Sequence, residues 1–552
     1  MLLIDVLRSP SAGRNYAWDE ANQRLILVSD GGVFARNQPR MPGGNWVSLN
    51  GDCRFNLFLD PNTAVIEYVL TSHLLYRHLL YRHLLYLHLH LLYRHWIIPT
   101  STRPSLDLRS PSADASMELL SAHYAPREDR YVAGAQDNCA QVTINNGKPS
   151  DVAIGFVEGD GTVTLVDNVA NPARLYGTTQ FLGVGTIDID PSVDMKTEKE
   201  SDDDDDDDDG CGGLCFVQGD KFINVPIDKY FPRPSSFPFF VSPYALNVQD
   251  PSKLIFWVNG TGPNGGGVIN YTDSGFYAFS IPHGQVHSKD DIDPPYKIAP
   301  TSKDTMILDF VAGGYIDGKA DESVLVAMSN KALYVRNKNT QGKLLEFALP
   351  VEFALPIIME YDEENDGARI LGPVTHGRTV SLCVSPSNAD VIAVTGWSTV
   401  ENNNGSEQIF MTNNGGKTWI EVTGNLRAAT GVQGKVRPAG VLIIDLMENN
   451  RTAVLVGTTV GVFVTYYPCN HNTKWTRFGS LDEFPIVLTA ALSYEHISDK
   501  IIAATFGRGI YAVGNVKESL LTHFDEITVK SDMSEWIRVP EVSSAEYFPT
   551  PL

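Results

Sequence analysis

Cysteine is scarce: six residues in 552, at Cys53, Cys139, Cys211, Cys215, Cys383 and Cys469. So few excludes a small disulfide-stapled scaffold, and their scatter fits no zinc-ribbon spacing. Only Cys211 and Cys215 are close in sequence; they read either as a small disulfide loop in an oxidising compartment or as free thiols in the cytosol. Basic charge is also short, with 43 Lys and Arg against 66 Asp and Glu and a net charge of −23. No stripe of Lys and Arg is visible, which excludes the counterion-releasing surface that DNA or RNA binding needs. The start, MLLIDVLRSPSAG, lacks a basic segment followed by a long apolar stretch, so no secretory signal is readable. The expected location is secreted or secretory-lumenal if this start is incomplete, and cytoplasmic otherwise. Four N-x-S/T sequons, at Asn259, Asn270, Asn404 and Asn450, permit the secretory reading. Helical periodicity is hard to find over any window of a dozen residues.

What is present is a rhythm of short apolar or alternating runs separated by turns rich in Gly, Asn and Asp. RLILVSDGGVFARN (24–37), KLIFWVNG (253–260), TAVLVGTTVGVFVTYY (452–467) and KIIAATFGRGIYAV (500–513) are examples. Val, Ile, Tyr and Phe suit a pleated, half-buried surface, and Gly and Asn take the positive φ of tight hairpins. Hydrophobic residues at 43% supply a large core. Similar units recur near 16–50, 119–147, 150–183, 239–282, 305–340, 378–425, 438–480 and 486–513. A lone sheet of this size cannot bury both faces, so each unit depends on its neighbours. The expectation is an all-β chain: a single β-propeller of about seven four-stranded blades, six to eight being the range, its ring closed where the last unit meets the first. The propeller is expected over 1–515, followed by a C-terminal tail over 516–552, and the chain is expected to be monomeric.

Two segments interrupt the rhythm, about 53–118 and about 192–215. Within the first, LLYRH stands at 74–78, 79–83 and 91–95, with LLYLH at 84–88. A five-residue period matches neither helix nor strand, so it reads as a low-complexity insertion. Arg77, Arg82, Arg94 and six histidines break it too often for a membrane helix, and no span is expected in this chain. A shorter duplication repeats EFALP at 346–350 and 352–356. The second interruption holds eight adjacent carboxylates, Asp202 to Asp209, which repel and stay solvated. Calcium cages need spaced ligands and backbone carbonyls, so this run offers weak cation binding at most, and no metal or cofactor is expected.

Thr412 to Leu426, TNNGGKTWIEVTGNL, is a polar hairpin turn closed by a Trp and followed by an alternating strand. Its Thr412, Asn414, Gly416, Thr418 and Trp419 resemble the Asp-box, S/T-x-D-x-G-x-T-W, of BNR-repeat propellers such as sialidases, xyloglucanase-type hydrolases and the Vps10 domain of sortilin; Asn414 stands where that motif has Asp. Weaker copies are GGNWVSLNG (43–51), NYTDSGFYAF (270–279), which keeps Thr272, Asp273 and Gly275, and HNTKWTRFG (471–479). ATFGRGIYAV (504–513) is similar to the T-x-G-R-G-[IV]-[YW] phrase that ends blades in that superfamily. The resemblance covers most of the chain outside the interruptions and tail. It implies architecture and leaves activity open, since the Asp-box is a peripheral turn.

The sialidase phrase F-R-I-P does not occur; the nearest string, FPRPSS at 231–236, holds Arg233 between prolines. The xyloglucanase likeness would make Asp30, in SDGGVF, one of two facing carboxylates, with Asp188 or Asp445 as partner; the hairpin reading of Asp30, as a turn residue before Gly, is the favoured one. Asp137 in GAQDN, Asp160 in EGDGT and Arg508 in FGRGI are the candidate binding residues, able to meet sugar hydroxyls, a cation or an anionic group, or else to close turns and pair with neighbouring blades. No Ser-His-Asp phrase, Walker loop or zinc signature is present. The expected function is a non-catalytic recognition scaffold that binds a glycan or protein partner through its inter-blade loops. The alternatives are a secreted inverting glycoside hydrolase acting on β-glucan and a sortilin-like or assembly-factor propeller binding peptide.

Overall fold

The computed structural model describes strands within 13–48, and residues 118–136, 138–143, 153–157, 159–188, 214–218, 221–225, 230–231, 237, 239–259, 274–302, 305–353, 358–362, 367–371, 380–396, 408–427, 430–431, 434–446, 451–479, 484 and 486–529. The chain is mostly β, as expected, arranged as small sheets in chain order, antiparallel except for the pairing of Val184–Asp188 with Leu214–Gln218 and one bridge between two four-stranded units. Four-stranded sheets span 13–48, 119–157, 380–421 and 438–477, a five-stranded one spans 164–225, and a three-stranded one spans 489–513. The strands of 244–300 and of 307–348 form two further four-stranded units, joined into one sheet by a single parallel bridge, Asn247 to Ala312. Short hairpins lie at 358–371 and 430–435.

Why the strands read as near-continuous apolar runs is seen in Arg451–Thr458. Ala453 and Leu455 face a core shared with the 489–513 sheet, while Val454 and Val456 face a core shared with the 380–421 sheet. Side chains alternate across the pleat, and a neighbouring sheet covers each face, so neither set of positions can be polar.

First strands of successive sheets lie against one another. Ser121 Oγ donates to Thr162 O at 2.8 Å and accepts from Thr164 N at 2.8 Å. Tyr244 OH donates to Val163 O at 3.0 Å, and Leu382 N donates to Asp309 Oδ2 at 2.9 Å. Val441 N donates to Ser381 Oγ, Ile443 N to Cys383 Sγ, and Ser385 Oγ to Asp445 Oδ2, advancing two residues at a time on both strands in the same direction. These first strands therefore run parallel, and the turns that follow them lie at one end of the molecule. Ser493 Oγ donates to Ala122 O at 2.7 Å, so Thr489–Glu495 of the last sheet lies against Leu119–Ala125. The sequence reading placed this contact with the strands near 16–50. Those strands instead pair among themselves as a complete four-stranded sheet, which leaves none to complete another.

One α-helix, α1 (Val516–Val529), stands among the described residues, within the stretch read as a tail. Its Val516 and Leu520 are fully buried against the 438–477 and 489–513 sheets, and Lys517 N donates to the Asp499 carboxylate. Its short span and its β-branched Val516, Thr522, Ile527, Thr528 and Val529 hide the helical period. No helix among the described residues is long and apolar enough to cross a membrane. Cys215 is disulfide-bonded, whereas Cys383 and Cys469 are thiols that burial pushes up to about 12. The LLYRH repeat, Asp202 to Asp209, Cys53 and Cys211 lie outside the described residues.

Candidate functional site

At the end opposite the first turns, loops of three sheets are joined by backbone hydrogen bonds. Glu118 bridges Phe506, and Gln136 N donates to Glu118 O at 3.1 Å. Cys139 N donates to Gly159 O at 3.0 Å, Gly161 N to Ala135 O at 2.9 Å, and Thr162 N to Thr178 O at 2.7 Å. The backbones approach so closely that a Cβ on Gly134 would sit 2.1 Å from Thr162 O and one on Gly161 2.0 Å from Cys139 O. Glycine at both positions is what lets the loops interlock.

This junction gathers the predicted binding residues of the described chain. Asp160 is half-buried, and its N–H donates to Gln180 Oε1 at 2.9 Å. Arg508 is exposed at the tip of a turn between Gly507 and Gly509, whose φ values of 103° and 73° only glycine adopts easily. Thr505 Oγ1 donates to Gly509 O at 2.6 Å and closes that turn. Asp137 lies outside the described residues; beside it, Asn138 Nδ2 donates to Gln136 O at 3.0 Å. Chemically, the junction presents a guanidinium, a carboxylate and amides on a rigid base, a set suited to hydroxyls, carboxylates and peptide groups.

The carboxylates named as hydrolase partners are elsewhere, and both are engaged. Asp188 takes Arg174 Nε at 2.6 Å and Nη2 at 3.1 Å, while Arg174 also donates to Pro282 O and Gly284 O. Burial opposes the Arg174 charge, but Asp188 and its surroundings raise its pKa further above the usual range. Asp445 accepts from Ser385 Oγ, Ser387 N and Thr452 Oγ1. Asp30 and Arg233 lie outside the described residues. Among the described residues, no group of three or more His, Cys, Asp and Glu is placed to hold a metal ion.

The Thr412–Trp419 turn is built from its own side chains. Thr412 Oγ1 donates to Asn414 Oδ1 at 2.9 Å and accepts from Asn414 N and Gly416 N. Asn414 Oδ1 accepts from Thr418 N at 3.0 Å, and its Nδ2 donates to Thr418 Oγ1 at 2.7 Å. Gly415 and Gly416 have φ of 66° and 88°, and Trp419 packs on the core that holds Phe410. HNTKWTRFG behaves similarly: Trp475 is 1% exposed, and its Nε1 donates to Val422 O at 2.8 Å. In GGNWVSLNG, Trp46 opens an outermost strand, Trp46–Ser48. NYTDSGFYAF differs, because Gly275–Ser280 is the third strand of its sheet and the motif precedes it instead of following it; Thr272 and Asp273 lie outside the described residues.

Sequence reasoning missed the ties between distant turns. His283 Nδ1 lies 2.8 Å from Asp167 Oδ2, Ala173 N donates to Glu128 Oε1 at 2.9 Å, and Arg127 Nη1 donates to Ala170 O at 2.8 Å. The partners are 43 to 116 positions apart, and no local pattern joins them. One local signal was available: YAPRED (124–129) and YEHISD (494–499) share a spacing in which the Tyr OH donates to the Asp five residues on.

Compared with protein-family models and with curated proteins, the sequence matches no family model and no curated protein.

Proposed function

We propose that the sheets from 119 to 513 close into a seven-bladed propeller of the BNR/Asp-box kind that serves as a recognition scaffold. In this reading a glycan or protein partner binds at the loop junction carrying Asp160 and Arg508. Support for the ring comes from the succession of parallel first strands and from the Ser493–Ala122 contact. The self-bonded Thr412–Trp419 turn supports the family likeness. The observation that carries the functional reading is the exposed Arg508 on a turn locked by glycines and backbone bonds, beside the half-buried Asp160 loop. Charged groups on a rigid, loop-bearing end suit binding more than holding the fold.

The hydrolase reading needs two facing carboxylates about 6.5–9.5 Å apart. The engagement of Asp188 and Asp445 in structural bonds favours the scaffold reading over a hydrolase built on Asp30 with either of them. The peptide-binding reading shares the scaffold and differs in ligand.

A glycan array and a peptide library screened with the full chain test the proposal. Arg508→Ala should cut binding of any captured ligand at least about tenfold, the size of one lost charged hydrogen bond, while shifting stability by no more than about 0.5 kcal/mol. Hydrolysis of xyloglucan that Asp30→Ala abolishes would overturn the scaffold reading.

A further inference from the structure

Asn-Gly occurs six times in the sequence, and only at Asn414-Gly415 are both residues among those described. The pair is chemically labile. Glycine has no Cβ to hold its backbone N away from the preceding side chain, so that nitrogen can attack the Asn Cγ and close a cyclic imide. The N–Cγ bond forms and the Cγ–Nδ2 bond breaks, while the Gly N–H proton passes through solvent to the departing amide, which leaves as ammonia. Water then opens the imide to Asp or to isoaspartate.

The turn holds both reacting groups. Gly415 is buried, and its N, the nucleophile, donates to Asp390 O at 3.0 Å. The leaving amide is tied down as well: Asn414 Nδ2 donates to Thr418 Oγ1 at 2.7 Å, and Oδ1 accepts from Thr418 N and Thr412 Oγ1. Because the Thr418 N–H only donates, the atom it meets is the oxygen, which fixes the orientation of the amide. Attack needs these bonds broken together, since Gly415 N has to turn away from Asp390 and the Asn414 side chain away from Thr418.

We propose that Asn414 is a modification site gated by this turn: closed, the turn keeps the amide, and each opening exposes it to deamidation. The turn treats the two products differently. Asp keeps the shape of Asn, and its carboxylate accepts from Thr412 Oγ1 and Thr418 N as before, while the exposed Thr418 hydroxyl rotates to donate where it had accepted. Isoaspartate routes the main chain through the side-chain methylene, which lengthens the backbone between 414 and 415 and leaves the carboxylate directly on Cα. The bonds joining 412, 414, 416 and 418 then no longer close, and the Gly415–Asp390 tie between the third and first turns of this sheet is lost. The inference depends on this one turn and not on the number of blades or on any ligand.

Mass spectrometry of digests from the full chain, incubated at mildly alkaline pH, tests it. Conversion at Asn414 should be at least about tenfold slower in the folded chain than in the same chain unfolded in urea, because several bonds must open first. Thr418→Ala, at an exposed position, removes the acceptor of the departing amide and should speed conversion in the folded chain at least about threefold while leaving the rate in urea unchanged. Asn414→Asp, the product of the reaction, should melt no lower than wild type. Equal rates with and without urea, a folded-chain rate that Thr418→Ala leaves unaltered, or an Asn414→Asp chain that melts below wild type would each overturn the proposal.

Discussion

The two ends of the strands treat charge differently. At the end holding the first turns, polar side chains reach across to the next sheet. Arg127 and Glu128 bind the 168–173 turn, Asn247 Nδ2 donates to Glu322 O, Asp445 holds Ser385 and Ser387, and Lys500 lies over the Tyr124 ring. At the opposite end, backbone does the joining, and Arg508 is left exposed. Charges that already hold neighbours together are poor candidates for recognition, because a ligand would have to displace their partners. The comparison assigns stability to the first end and binding to the second.

The largest effect should come from Arg174→Ala at the first end. It removes the guanidinium from buried Asp188 and the donors from two carbonyls, so urea unfolding should show a loss of about 3–5 kcal/mol. A loss below about 1 kcal/mol would break the comparison. Next is Gly161→Ala at the loop end, where the added Cβ meets backbone that cannot rotate away; thermal unfolding should report about 1–3 kcal/mol. The variant also asks whether the junction must be intact for binding, since it disturbs the base beneath Asp160 and spares Arg508.

Thr412→Val keeps the shape but removes the acceptor for Asn414 N and Gly416 N, a loss of about 1–2 kcal/mol by the same measurement. Smallest is a pH effect. Burial raises the Asp321 pKa, but bonds from Ser323 and from Lys338 N outweigh it and hold the carboxyl below its usual range. Its folded pKa is thus depressed, so its contribution is present above the ordinary carboxylate pKa and is lost as pH falls through the lowered folded value. Stability of Asp321→Asn against pH should therefore be flatter than wild type on the acid side, and its deficit should shrink as the pH is lowered.

Much of the strand order was legible. Alternating apolar runs ended by Gly, Asn or Asp located the hairpins because their period and turn chemistry are local properties. Strand boundaries failed where pairing decided them: Ala153–Val157 was grouped with the residues after it, yet it pairs with Ala140–Thr143 of the preceding sheet. The site was legible in part. The glycines around Arg508 and Asp160 marked tight turns, but nothing local said that those turns meet through Glu118, Gln136 and Gly161.

The EFALP duplication separates what the two levels determine. By itself the sequence established an all-β chain, its turn residues and its acidic balance, all of which depend on spacing and composition. It could not distinguish two identical pentapeptides. In the first, Phe347 lies in an edge strand opposite Leu333 and is half-buried. In the second, Phe353 is fully buried against Gly396, where a Cβ would come within 2.4 Å, and meets Phe410 edge-on. The same residues take different places because burial depends on which neighbouring sheet is there to cover them, and only the assembled sheets decide that.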